Sequence, residues 1–90
     1  MSTLLDHLIT DLSRIPDRRI FGRVAAVQGM LVEIEGVEGH LSIGDRCVLS
    51  ARRNKQIICE VIGFRDHRAL AMPYGALEGV ALGARAEVLN

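Results

Sequence analysis

The alternation of apolar and polar positions divides the chain at Pro16. Ahead of it, Leu4, Leu5, Leu8, Ile9, Leu12 and Ile15 recur at steps of three and four, the spacing that lines one face of a helix. Thr3 with Asp6 resembles a capping box, aspartate replacing the usual glutamate, and Arg14 suits the negative end of the helix dipole. Pro16 stops the helix, because the residue before a proline is pushed out of helical geometry. Asp17-Arg18-Arg19 reads as a solvated connector. The pattern thus predicts an N-terminal segment, residues 1–19, and a second unit over 20–90.

From Ile20 onward the signals are those of short strands. Gly22-Arg-Val-Ala-Ala-Val-Gln-Gly-Met-Leu-Val-Glu-Ile-Glu-Gly36 reads as a hairpin turning at Gln28-Gly29-Met30, where Gly29 supplies the positive φ of a tight loop. Its parity puts Ala25, Val27, Met30, Val32 and Ile34 on the inner face. Gln28, Glu33 and Glu35 fall on the wet face, with Val24 and Ala26. Leu41–Ile43 reads as a short extended piece, Gly44-Asp45 as a turn, Arg46–Ala51 as a strand and Arg52-Arg53-Asn54-Lys55 as a basic tip. Gln56–Phe64 is the longest strand, and its nearly continuous apolar run suggests burial on both faces. Arg65-Asp66 reads as a turn and His67–Met72 as a strand ended by Pro73. A connector punctuated by Gly75, Gly79 and Gly83 leads to a last strand, Arg85–Leu89. About six short strands with close turns indicate a small barrel or sandwich, and closure into a barrel would remove the edges. A helix of about a dozen residues is marginal alone in water, so the stripe over 3–15 needs a surface. The residues leave open whether that surface is its own barrel or another protein.

Composition narrows the function. Ninety residues make one domain, with 49% hydrophobic residues but only two Phe and one Tyr, so the core is aliphatic. Eleven basic and eleven acidic residues cancel, so no overall field draws the chain to nucleic acid or anionic membrane. No apolar run approaches a membrane span and the start lacks a signal-peptide pattern, which points to the cytoplasm. Cys47 and Cys59 have neither CxxC nor zinc spacing and read as buried, reduced core thiols.

The search for chemistry is mostly negative. There is no GxxxxGK[ST] loop, and Gly75, Gly79 and Gly83 read as turn glycines. His7, His40 and His67 lack partners at ligand spacing, so no metal site is expected. Glu33 and Glu35 read as a solvated strand face rather than paired acids. The basic tip at 52–55 lacks aromatics beside it in sequence, which disfavours oligonucleotide binding. Bottom-up, the chain is a binding or assembly module. A free-standing oligonucleotide-binding barrel and a small enzyme using Cys47 as nucleophile are the alternatives.

A family resemblance sharpens this. Gly22-Arg-Val-x-x-Val-x-Gly-x-Leu-Val-Glu33 resembles the opening of the barrel domain of the type III export ATPases. Gly44-Asp-Arg-Cys47, Glu60-Val-Ile-Gly-Phe64, Arg68-Ala-Leu-Ala-Met-Pro73 and Leu77-Glu-Gly-Val-Ala-Leu-Gly-Ala-Arg85 continue the pattern in order. The likeness covers about residues 20–89 and is nearest to the flagellar branch, then the virulence secretion ATPases; the α and β subunits of the F-type ATP synthase share the barrel more distantly. It implies a six-stranded closed β-barrel, with Gly22, Gly29, Val32, Ile34, Gly44, Cys47, Cys59, Val61, Gly63, Pro73, Gly79 and Gly83 as structural turns and barrel core. The family's catalytic residues lie in a later nucleotide-binding domain, so no catalytic, cofactor or metal residue carries over. ATP and Mg are expected only for the full-length protein. Met1 reads as a natural start and Leu89-Asn90 falls where the family's chains run on, so an N-terminal piece is expected. The resemblance further implies a homohexameric ring in the full-length protein, a monomeric fragment and a cytoplasmic site at the export apparatus. It also implies that Leu4, Leu5, Leu8, Ile9, Leu12 and Ile15 bind a stator-type, FliH-like regulator.

Overall fold

The computed structural model describes residues 20–89. Strands β1 (Phe21–Gln28), β2 (Leu31–Glu35), β3 (Arg46–Ser50), β4 (Gln56–Arg65), β5 (Arg68–Pro73) and β6 (Arg85–Leu89) close into a barrel in the order β1-β2-β5-β4-β3-β6. All six pairings are antiparallel, including the β1–β6 seam. Closure leaves no unpaired edge among these strands. Two 3-10 turns, Glu38–His40 and Arg52–Asn54, complete the regular elements among the described residues. The helix expected over 3–15 lies outside the described residues.

The interior is filled by short aliphatic side chains. Ile34, Leu49, Val24, Val32, Val37 and Val61 are the largest fully buried ones, with Cys47 and Cys59 between them. Ala69, Ala71 and Ala86 occupy inward positions where the barrel has no room for more. Burying each of the larger groups is worth roughly 1.5–3 kcal/mol before ordering costs. Ile57, Leu77, Val80, Ala84 and Val88 pack around this cluster.

Several expectations are corrected. The first hairpin turns at Gly29-Met30, within the expected turn, with Gln28 opposite Leu31 and Val27 opposite Val32. A bulge between Val24 and Ala26 then shifts the register, so Val24, not Ala25, faces Ile34. Val24 is therefore core at 2% exposure although simple alternation places it outside, while Met30 is exposed in the turn. Of the extended piece expected over Leu41–Ile43, Leu41 is extended and buried, whereas Ile43 enters a turn with Gly44 and is 69% exposed. The long β4 is not covered on both faces: Cys59 and Val61 point inward, whereas Ile58 and Ile62 are exposed. Ile62 sits at a second bulge, between Val61 and Gly63. These side chains alternate as on any barrel wall, and their apolar character does not bury them.

The remaining expected structural positions fall as follows. Val32, Ile34, Cys47, Cys59 and Val61 lie in the interior. Gly22 is buried on β1, Gly63 follows the β4 bulge, and Pro73 ends β5 opposite Cys59. Gly29, Gly44, Gly79 and Gly83 lie in turns.

The β4–β5 turn is Asp66-His67, one residue later than the sequence suggests, and both residues have positive φ, 51° and 64°. That is the backbone of a type I′ turn, which favours Asn-Gly. The double change Asp66→Asn, His67→Gly is expected to stabilise the barrel by about 0.5–1 kcal/mol, because both native residues are held in the left-handed region. A rise in the thermal unfolding midpoint checks this; a fall contradicts it.

Candidate functional site

Among the described residues, charged side chains lie on the outer wall and in the turns at both ends of β4. On the wall, β2 lies beside β5, with Glu33 opposite Leu70 and Glu35 opposite Arg68. The tight turn between β4 and β5 then sets Arg65 directly across from Arg68. The result is a cluster in which Arg65 donates to Glu33 Oε2 at 2.8 Å and Arg68 donates to Glu33 Oε1 at 3.2 Å. Glu35 lies 4.0 Å from Arg68 Nε.

Glu33 was expected on a solvated face, and this is corrected: the residue is only 7% exposed. What covers it are guanidinium groups that themselves meet solvent, so the carboxylate is paired rather than immersed in the apolar interior. Its pKa is lowered, first by the Arg68 hydrogen bond; partial desolvation opposes this, and Arg65 adds to the lowering. The folded pKa therefore lies below the unfolded one. The cluster's stabilisation is present above the unfolded value near 4.5 and is lost as pH falls through the folded value. Glu33→Gln is expected to lower the thermal midpoint at neutral pH and to flatten its decline in acid. Parallel melting curves of the two proteins from neutral pH to about pH 3 check the prediction, and an unchanged acid slope contradicts it.

Along the β1–β6 seam, Arg23 and Arg85 are directly opposite and of like charge. The Phe21 ring meets both, its centroid 5.2 Å from the Arg23 guanidinium carbon and 3.9 Å from that of Arg85. Cation–π attraction offsets their repulsion. Arg85 also reaches Glu87, and Arg23 donates to the Gly83 carbonyl at 3.3 Å. Tyr74 donates its hydroxyl to Glu60 at 2.7 Å, and this hydrogen bond raises the phenol pKa.

Cys47 and Cys59 face each other directly across β3 and β4, both free, at 1% and 0% exposure. The hydrogen bond to Cys47, together with burial, raises the Cys59 thiol far above the ordinary range. A nucleophilic cysteine needs an accessible thiolate. The same hydrogen bond lowers the Cys47 pKa while burial opposes it, and at 1% exposure the Cys47 sulfur is closed off from solvent. No group of three or more His, Cys, Asp or Glu among the described residues could hold a metal ion. No helix among them is long and apolar enough to cross a membrane.

The basic tip ends the β3–β4 hairpin. The Arg52 amide donates to the Gly79 carbonyl at 3.1 Å, so the tip is docked on the connector before β6. Sequence reading missed two of these arrangements. The Glu33–Arg65–Arg68 cluster depends on β2 lying beside β5, and the cleft joining the tip to Glu78-Gly79 depends on a loop contact. Neither is visible in local spacing. The six apolar residues proposed from the sequence as a partner handle, Leu4 to Ile15, lie outside the described residues.

Comparison with known proteins places these features. Residues 24–90 match the model described as the ATP synthase alpha/beta family, beta-barrel domain. A flagellum-specific ATP synthase of Caulobacter vibrioides is 43% identical over 82 residues, 91% of this chain and 18% of that protein. The Salmonella typhimurium protein of the same name is 30% identical over 91 residues, covering 98% of this chain and 20% of its own length. A type 3 secretion system ATPase of Pseudomonas syringae pv. tomato is 33% identical over 73 residues, 81% of this chain. The chain thus spans about a fifth of the length of these flagellar relatives.

Proposed function

Because this chain belongs to the ATP synthase alpha/beta family through its β-barrel domain, we propose that it is the N-terminal domain of an ATPase driving flagellar type III protein export. Its role is assembly and regulation rather than catalysis. The observation that carries this reading is a closed barrel with a filled aliphatic interior, on a chain whose relatives are named as flagellar and type III secretion ATPases. The barrel contributes to a ring of like subunits in the full-length hexamer, while the separate chain is a monomer. ATP and Mg are handled by the full-length protein outside this chain, in the cytoplasm beside the export apparatus.

The N-terminal segment supplies the regulatory contact. Leu4, Leu5, Leu8, Ile9, Leu12 and Ile15 form a stripe at helical spacing that suits an apolar groove on a FliH-like regulator. Size-exclusion chromatography of the chain with that regulator tests the reading. Co-elution as a defined complex is expected; separate elution at concentrations of about 10 μM would contradict it.

A further inference from the structure

The assembly reading leaves the basic tip unused. Arg52, Arg53, Lys55, Glu78 and Gly79 line an open cleft of about 210 Å³ between the β3–β4 tip and the connector to β6. The three cations and Glu78 are exposed, and none of them takes part in an ion pair among the described residues. This contrasts with Arg65, Arg68 and Arg85, each of which is held by a carboxylate. Three positive charges and one negative leave the cleft at +2.

The backbone that carries these charges is fixed. Arg53 and Asn54 both have positive φ, 59° and 60°, the Lys55 amide donates to the Arg52 carbonyl at 3.2 Å, and the Ala51 amide donates to the Lys55 carbonyl at 2.8 Å. On the far side the connector approaches so closely that a Cβ on Gly79 would lie 3.2 Å from the Arg52 nitrogen. The tip and the wall are joined by the Arg52–Gly79 backbone hydrogen bond, and the cations project from that joined frame. Guanidinium groups offer planar paired donors that match phosphoryl oxygens, and an ammonium adds a compact charge.

We propose that this cleft binds the phosphoryl dianion of a small soluble phosphate. Such a group carries about −1.5 to −2 charge at neutral pH, which matches the cleft's +2. The volume, several times the share of one liquid water at about 30 Å³, accommodates a phosphoryl group with its remaining hydration. Glu78 on the wall limits affinity for a bare anion and can accept a hydrogen bond from a hydroxyl on the ligand. Because the cations are solvated, the affinity is in the millimolar range.

The test is an amide NMR titration of the chain at constant ionic strength, with inorganic phosphate and glycerol 3-phosphate as probes and chloride as reference. Saturable shifts confined to residues 51–56 and 77–80 are expected. The double change Arg52→Gln, Arg53→Gln should weaken binding at least about fivefold, while Arg52→Lys, Arg53→Lys retains part of it. Glu78→Gln should tighten it. Tighter binding of glycerol 3-phosphate identifies a monoester as the source; equal binding identifies the free ion. Non-saturating shifts, shifts equal to those of chloride, or affinity unchanged in the glutamine variant with the barrel spectrum intact would overturn the proposal.

Discussion

Replacing Gly22 by valine is expected to destabilise the barrel by about 3 kcal/mol or more, a large part of the roughly 5–15 kcal/mol that a domain of this size possesses. Gly22 pairs with Ala86 on the seam that closes the barrel. A Cβ there would overlap the carbonyl oxygen of Glu35 and would lie 3.1 Å from Val37 Cγ1. The oxygen belongs to the backbone at the end of β2, so no side-chain rotation relieves the overlap; β1 and β2 must separate. Val37 is itself 1% exposed and cannot withdraw without opening the core. Gly63 is the control: a Cβ at that position meets nothing within 4 Å. Gly63→Ala is expected to change stability by no more than about 1 kcal/mol. Urea unfolding of the three proteins measures both effects. Equal midpoints for Gly22→Val and the parent would show that β1 does not approach the end of β2 as closely as described.

The second large effect concerns binding. Leu8→Asp combined with Leu12→Asp is expected to weaken regulator binding by at least about a hundredfold, since two buried leucines are worth roughly 1.5–3 kcal/mol each and a buried carboxylate adds its own cost. Thermal unfolding of the barrel should be unchanged by the same pair of substitutions. Isothermal titration of each variant with the regulator measures the first quantity and calorimetric melting the second. Retained affinity would remove the stripe as the handle. Lost barrel stability would instead make it part of the barrel's own packing.

How far the sequence carried these conclusions depends on the range of the interactions. The strands were legible because apolar alternation and turn residues are local signals: Gly29, Pro73 and the Gly-Asp turn at 44–45 stand where chain reversals or strand ends do. The lack of edge-protecting prolines favoured a closed barrel over a sandwich, and the family motifs agreed with it. What local pattern could not supply was the register. One bulge at Ala25 moves Val24 from the expected outside to the core, and another beside Ile62 resets β4 against β5. Side-chain period is two, so each extra residue exchanges the faces beyond it. Glu33 was misread for a related reason. Its pattern position is outward, which is correct, but outward is not solvated when a non-sequential neighbour strand brings Arg68, and its turn brings Arg65, over the carboxylate. The basic tip was visible as a charge run, whereas the wall formed by Glu78 and Gly79 came only from the fold.

The central claim is that the apolar stripe ahead of Pro16 is the contact surface for another molecule and that the barrel behind it is complete without it. Amide hydrogen exchange of the chain, alone and saturated with the regulator, tests it most directly. New protection confined to residues 3–15, with the amides of β1–β6 exchanging at the same rates in both states, is the predicted result. Protection that appears across the barrel strands, with residues 3–15 unaffected by the partner, would contradict it.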